Sequence, residues 1–281
     1  MPAVALHPSL PPATAASLAT PFGARALRAA AALWLLVALF GQFLFMAYVA
    51  YFYGGAVLDG DLARWNKVMP HGLVPGDSVG NSVLASHLLF TVAVLLGGAL
   101  QLLPALRRAA PRVHHWVGRG YILSAIVLSL SGLYMVWTSG EPARFGQHLG
   151  ISLNALLILA FAGLALRAAM ARCIDEHRRW ALRLYLAVLG VWFFRLGLTM
   201  WLLVHRAPIG FDPTTFSGPF LTFLSFAQTL VPLALLELYQ RARQSPRPGV
   251  QTTAAGVLLL LTLATAAGTG TAWLMLWRPH F

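Results

Sequence analysis

Apolar side chains follow one another along this chain in long runs, without the alternation of a half-buried strand or the one-sided period of a surface helix. Crossing the hydrocarbon of a bilayer takes about 20 apolar helical residues. Runs of that length centre on residues 29–53, 80–104, 117–138, 145–166, 181–204, 215–237 and 252–277. They predict an all-α membrane protein of seven transmembrane helices. The connections are short except residues 54–79, which hold Asp59, Asp61, Trp65, His71 and Asp77. Residues 1–24 are rich in Pro, Ala, Ser and Thr and carry no charged side chain, a mixture that cannot bury a core and reads as a flexible tail. Residues 25–281 then form one transmembrane domain with its core at 80–205.

Composition agrees: the 281 residues are 58% hydrophobic and 10% charged, with a mean hydropathy of +0.71, which removes the soluble classes. A formal net charge of +12 does not mark a nucleic-acid binder, because the arginines stand at the ends of apolar runs. Arg25 and Arg28, the group Arg107, Arg108 and Arg112, the group Arg167, Arg172, Arg178 and Arg179, and the group Arg241, Arg243 and Arg247 all fall on one side. By the positive-inside rule that side is cytoplasmic, with the N-terminus inside and Phe281 outside. The opposite loops offset Arg64, Lys67, Arg144 and Arg206 with acids. The single cysteine, Cys173, makes no internal disulfide, and there is no C-x-x-C pair.

An internal echo adds organisation. His114-His115-Trp116-Val117-Gly118-Arg119-Gly120-Tyr121 parallels the segment from His177 to Tyr185, with Trp116, Arg119 and Tyr121 matching Trp180, Arg183 and Tyr185 at a constant offset of 64. Each motif opens a helix from the arginine-rich side, and each follows a helix with a histidine near its opposite end, His87 or His148. The second to fifth helices therefore read as a central four-helix bundle of two related hairpins, with the first, sixth and seventh packed around it.

Ionisable residues at membrane depth are expensive and usually functional. His87 and His148 fall near the outer face, and His114 and His177 near the inner face. Two imidazoles from facing helices can ligate a haem iron axially, and apolar helices supply a dry slot for the porphyrin. Gly97, Gly98 and Gly132 allow either close helix approach or room for such a macrocycle. Other roles fit the same residues: interfacial anchoring for His114, His115 and His177, and packing hydrogen bonds for His87 and His148. Between His114 and His115, the first is preferred as the ligand. Arg195 lies eighteen residues beyond His177, on the same face of an unbroken helix and about 27 Å further along. It is a cation for a haem propionate, a quinone oxygen or an acidic substrate, or a donor to loop carbonyls, with Asp212 a possible acid folding back. Gln42, Gln101, Asn154 and Gln228 read as interhelical hydrogen-bond formers, and Glu237 as a partner of Arg241. Walker, dinucleotide, HExxH and Gly-x-Ser-x-Gly motifs are absent, which disfavours NTP-driven and nicotinamide chemistry in this chain.

The stretch from His87 to Arg195 resembles the bacterial membrane proteins grouped as domain of unknown function 2306. The resemblance rests on His87 with Gly98, Gln101 and Arg107, on the motif from His114 to Tyr121, and on His177-Arg178-Arg179-Trp180 followed by Arg183, Tyr185 and Arg195. It implies a bacterial cytoplasmic membrane. The histidine layout is also similar to the cytochrome b-561 superfamily, in which four consecutive helices give one haem ligand each. That likeness implies one or two haem b groups, His87 pairing with His148 and His114 with His177. The resulting expectation is a b-type cytochrome-like membrane oxidoreductase served by a quinol or other small reductant. The competing expectation is a non-redox transporter or an assembly or scaffold subunit.

Overall fold

The structure, a computed structural model, describes residues 22–69, 72–138 and 140–281. Most of the expected tail and His71 lie outside the described residues. Helix α1 spans Phe22–Leu58, passing through a π-helical turn at Val49–Gly54. It therefore starts before the expected tail boundary and ends five residues beyond residue 53, shortening the long connection. Then follow α2 (Ser78–Gln101), α3 (Pro111–Thr138), α4 (Phe145–Met170), α5 in two halves (Ile174–Val188 and Gly190–His205), α6 (Pro219–Gln244) and α7 (Pro248–Ala272). Among the described residues there is no strand, only an isolated bridge between Asp212 and Ser217.

The local chemistry of the helix starts is visible. Asp77 accepts a 2.8 Å hydrogen bond from the Gly80 amide to cap α2, and proline opens α3, α6 and α7, where its missing N–H costs nothing. Among the described residues, six helices are long and apolar enough to cross a membrane alone. The halves of α5 meet at Leu189 with a 47° bend; taken together as one broken span they bring the number to seven. Large apolar side chains such as Leu36, Phe40, Leu89, Leu130, Leu156 and Leu260 are exposed on the outside of the bundle, as lipid contact requires.

The two predicted hairpins are the close pairs α2–α3 and α4–α5, joined through α3–α4; α6 packs on α4 and both halves of α5, and α7 packs on α1 and the second half of α5. Because lipid tails are as apolar as leucine, such contacts depend on close packing and hydrogen bonds. At Gly41 an added Cβ would come within 2.6 Å of Thr269 and 2.8 Å of Trp192, so α1, α5 and α7 meet where only glycine fits. The internal echo is reproduced in three dimensions: Arg119 lies 4.9 Å over Trp116, and Arg183 lies 4.9 Å over Trp180. Tyr121 and Tyr185 are both buried and both abut Gly98. Gly97 also faces Tyr121, so this glycine pair serves helix approach.

Several expected polar contacts form. Gln42 donates to the Tyr185 hydroxyl at 2.8 Å, Gln101 to the His114 carbonyl at 2.8 Å and Asn154 to the Ala187 carbonyl at 3.2 Å. Two differ. Gln228 donates within its own helix, to the Ser225 carbonyl. Glu237 pairs with Arg183 across to α5 at 2.5 Å, because helix packing brings that guanidinium beside the carboxylate.

A candidate ligand cavity between the helices

Between the helices lies a cavity of about 660 Å³ at the arginine-poor end, where α2 and α4 begin. Its walls are mainly apolar, and its polar side chains come from several elements: His87 from α2, Gln147, His148 and Asn154 from α4, Arg195 from α5 and Gln228 from α6. The volume lies within the range of small-molecule sites. Three residues singled out in the sequence, His87, His148 and Arg195, thus share one chamber.

The protonation of His87 is set by its neighbour. The Ser131 hydroxyl has a single proton, and its shortest acceptor is the Val127 carbonyl at 2.6 Å. The 2.8 Å contact between His87 Nδ1 and Ser131 Oγ is then an N–H donating to the hydroxyl oxygen. In the neutral ring this leaves the Nε2 lone pair for another partner, the arrangement that orients ligating histidines. Gly132, also in the wall, keeps the space beside this ring open; a Cβ there would lie 3.7 Å from His87 Cε1. His148 is buried and sets its ring 6.0 Å from that of Trp137, edge to face.

Arg195 sits 4.8 Å over the Phe45 ring and donates to the Val191 carbonyl one turn back at 3.3 Å. No acid pairs with it among the described residues. The expected candidate, Asp212, is exposed and engaged locally: the amide and hydroxyl of Thr214 both donate to it, at 2.8 and 2.6 Å. These bonds hold its carboxyl below the usual carboxylate range. The cavity mouth is fixed by Arg144, which pairs with Glu141 and donates to the Thr215 carbonyl, and by Gln147, which donates to the Phe216 carbonyl.

His114 and His177 are not among the residues lining this cavity. His177 Nδ1 contacts the Ala165 carbonyl at 2.9 Å; a carbonyl only accepts, so Nδ1 carries the proton and the neutral ring keeps its Nε2 lone pair. His114 is half-buried with its Nδ1 enclosed and unpartnered, whereas His115 is exposed. Arg195 and His177 stand eighteen residues apart on α5, about 27 Å along a helix, and only Arg195 lines the cavity.

Sequence reasoning missed the chamber's supporting residues. Ser131 is an unremarkable serine in an apolar run until α3 brings it to α2. Asn154 and Gln228 were read as ordinary packing amides. In the structure they converge at Gly190, where an added Cβ would overlap Asn154 Nδ2 and lie 3.6 Å from the Gln228 amide carbon.

The fold and site define an all-α integral membrane protein whose described helices surround an apolar cavity. More particularly, residues 84–219 match the family described as Predicted membrane protein (DUF2306), the family that the histidine and arginine motifs resemble. The matched segment contains His87, His114, His148, His177 and Arg195. No curated protein and no solved structure matches the chain.

Proposed function

We propose that the chamber binds haem b and that the protein is a b-type cytochrome-like electron carrier or oxidoreductase of the membrane. The observation that carries this reading is the state of His87: its Nδ1–H is committed to Ser131, leaving Nε2 to bind iron inside an apolar enclosure. His148 lines the same chamber and would supply a second imidazole to such a group. Arg195, which no acid pairs among the described residues, would balance a propionate, and Gly132 keeps the wall clear beside His87. A bound haem supplies one-electron chemistry between ferric and ferrous iron. The proposal extends to a second haem that His114 and His177 would hold at the arginine-rich end.

The test is a visible spectrum of the purified protein, oxidised and dithionite-reduced, after expression with ample haem. A Soret band with a reduced α-band is expected, and His87→Ala and His148→Ala should each remove the signal of the same haem. Well-folded protein without a Soret band overturns the reading. The transporter alternative would then stand, favoured by one observation: α5 breaks beside buried amides, and transporter sites are commonly built at discontinuous helices.

A further inference from the structure

The internal echo puts a tryptophan and an arginine at the same point of α3 and of α5, but in different surroundings. In the second copy Trp180 stacks on Phe161 of α4, and Arg183, lying 4.9 Å over Trp180, pairs with Glu237 of α6. That copy shows what the motif does: an indole face holds a guanidinium toward an anion. In the first copy Arg119 lies 4.9 Å over Trp116 in the same way, yet no acid pairs with it among the described residues. Residues 78–140 contain no Asp or Glu, while Arg107, Arg108 and Arg112 stand at the same end. The acids elsewhere at that end are engaged: Asp175 with Arg178, Glu176 with the Trp180 indole N–H and Glu237 with Arg183. The anion of the first copy therefore comes from outside the chain.

Position in the fold says which anion. Gly118 and Tyr121 turn toward α2, where Gln101 and Gly97 meet them. Trp116, Leu123, Leu130 and Trp137, spaced by seven residues, are all exposed on the other side of α3. Trp116 and Trp137 are 21 residues apart, about 31 Å along a helix, which is the thickness of the hydrocarbon. The stripe faces lipid, with a tryptophan at each boundary as in an interfacial belt. Trp116, 69% exposed, marks the boundary on the arginine-rich side. Arg119 starts one turn deeper and reaches back over it, as a helix side chain tilted toward the N-terminus does, so its guanidinium comes to headgroup level. Gly120, where an added Cβ would meet nothing within 4 Å, leaves a notch in the stripe between Trp116 and Leu123. We propose that Trp116, Arg119 and Gly120 form a site for an anionic phospholipid, its head phosphate pairing with Arg119 as Glu237 pairs with Arg183 and an acyl chain lying in the notch. Arg112, seven residues before Arg119 on the same face, adds attraction. A zwitterionic head would bring an ammonium toward these arginines and is disfavoured.

Neither the chamber nor haem takes part, so this site goes beyond the proposed function. The experiment is native mass spectrometry of the full chain in detergent, titrated with phosphatidylglycerol and, separately, with phosphatidylcholine of the same acyl chains. Phosphatidylglycerol should bind about fivefold tighter, as for one arginine at the surface of an anionic lipid layer. Arg119→Gln should abolish the preference, Trp116→Leu should weaken it, and Trp116→Phe, which keeps a ring face, should retain it. Arg178→Gln is the control: it removes an equal charge at the same end from an arginine paired with Asp175, and should leave the preference intact. Gel filtration identifies folded samples, and Arg119→Met takes the place of Arg119→Gln if that variant does not fold. Equal affinity for the two lipids, or a preference that survives loss of the Arg119 charge, overturns the proposal. So does an equal loss in Arg178→Gln, which leaves only diffuse charge. Displacement of bound phosphatidylglycerol by inorganic phosphate would make this a site for a soluble anion, and a dimer that Arg119→Gln dissociates would give the face to a second copy of the chain; either result also overturns it.

Discussion

Ser131→Ala tests the local logic of the chamber most directly. The substitution deletes the oxygen that accepts from His87 Nδ1 at 2.8 Å while keeping an excellent helix former in α3. Ser131 is 8% exposed, so water does not freely replace the lost hydroxyl. Leaving a buried N–H unpaired costs about 1–3 kcal/mol. The ring escapes part of that cost by moving its proton to Nε2 or by rotating. If the ring ligates iron, the same loss appears as about 10–100-fold weaker haem affinity, the usual effect of removing an outer-shell partner. Ser131→Thr restores a hydroxyl able to bond the carbonyl one turn back and should recover most of both effects. Two assays read this. Nitrogen-15 spectra of histidine-labelled protein report which ring nitrogen of His87 carries the proton, and haem titration reports affinity. Alanine-substituted protein with the same His87 tautomer and unchanged haem affinity would refute the argument.

Three further outcomes are expected. Arg195→Leu should impair ligand retention more than Arg144→Leu, since both line the chamber but Arg144 is neutralised by Glu141 whereas no acid pairs with Arg195 among the described residues; equal retention in folded samples would return Arg195 to a structural role. Gly98→Val should lower stability by about 1–3 kcal/mol through overpacking, read as a fall in Tm, because even a Cβ meets Tyr121 at 3.1 Å and Tyr185 at 3.3 Å. A reporter fused after Phe281 should be active only outside the cytoplasm and one fused at Gln244 only inside; activity on the same side contradicts the orientation drawn from the arginines.

The helices were legible because crossing a bilayer imposes a length and an apolarity that any window detects, and the second to fifth were legible as paired hairpins because Trp116, Arg119 and Tyr121 recur. What escaped depends on neighbours distant in sequence. No proline marks the bend at Leu189; there the Asn154 amide bonds the Ala187 carbonyl, and Gly190 lets α4 and α6 side chains press against the backbone. Pro232, a conspicuous local signal, lies inside a continuous α6. Glu237 found Arg183 rather than Arg241 for the same reason: i,i+4 spacing on a helix surface gives a partner within reach, and tertiary packing offered another. Asp212 went the opposite way, held by its own turn before it approached Arg195.

Gly98 belongs to the first hairpin yet receives a tyrosine from each, Tyr121 from its own and Tyr185 from the other. The two copies are thus not independent modules placed side by side; they share a single seat. Tyr185 is further tied to Gln42 on α1, while the Tyr121 hydroxyl is buried without a partner, so the pair has lost its equivalence around that seat. A change in either tyrosine is felt by both hairpins, and cutting the chain between them would strip one side of the same glycine. The consequence is cooperative: neither hairpin should persist as a folded unit alone, and the chamber should be lost in a single step with both of them.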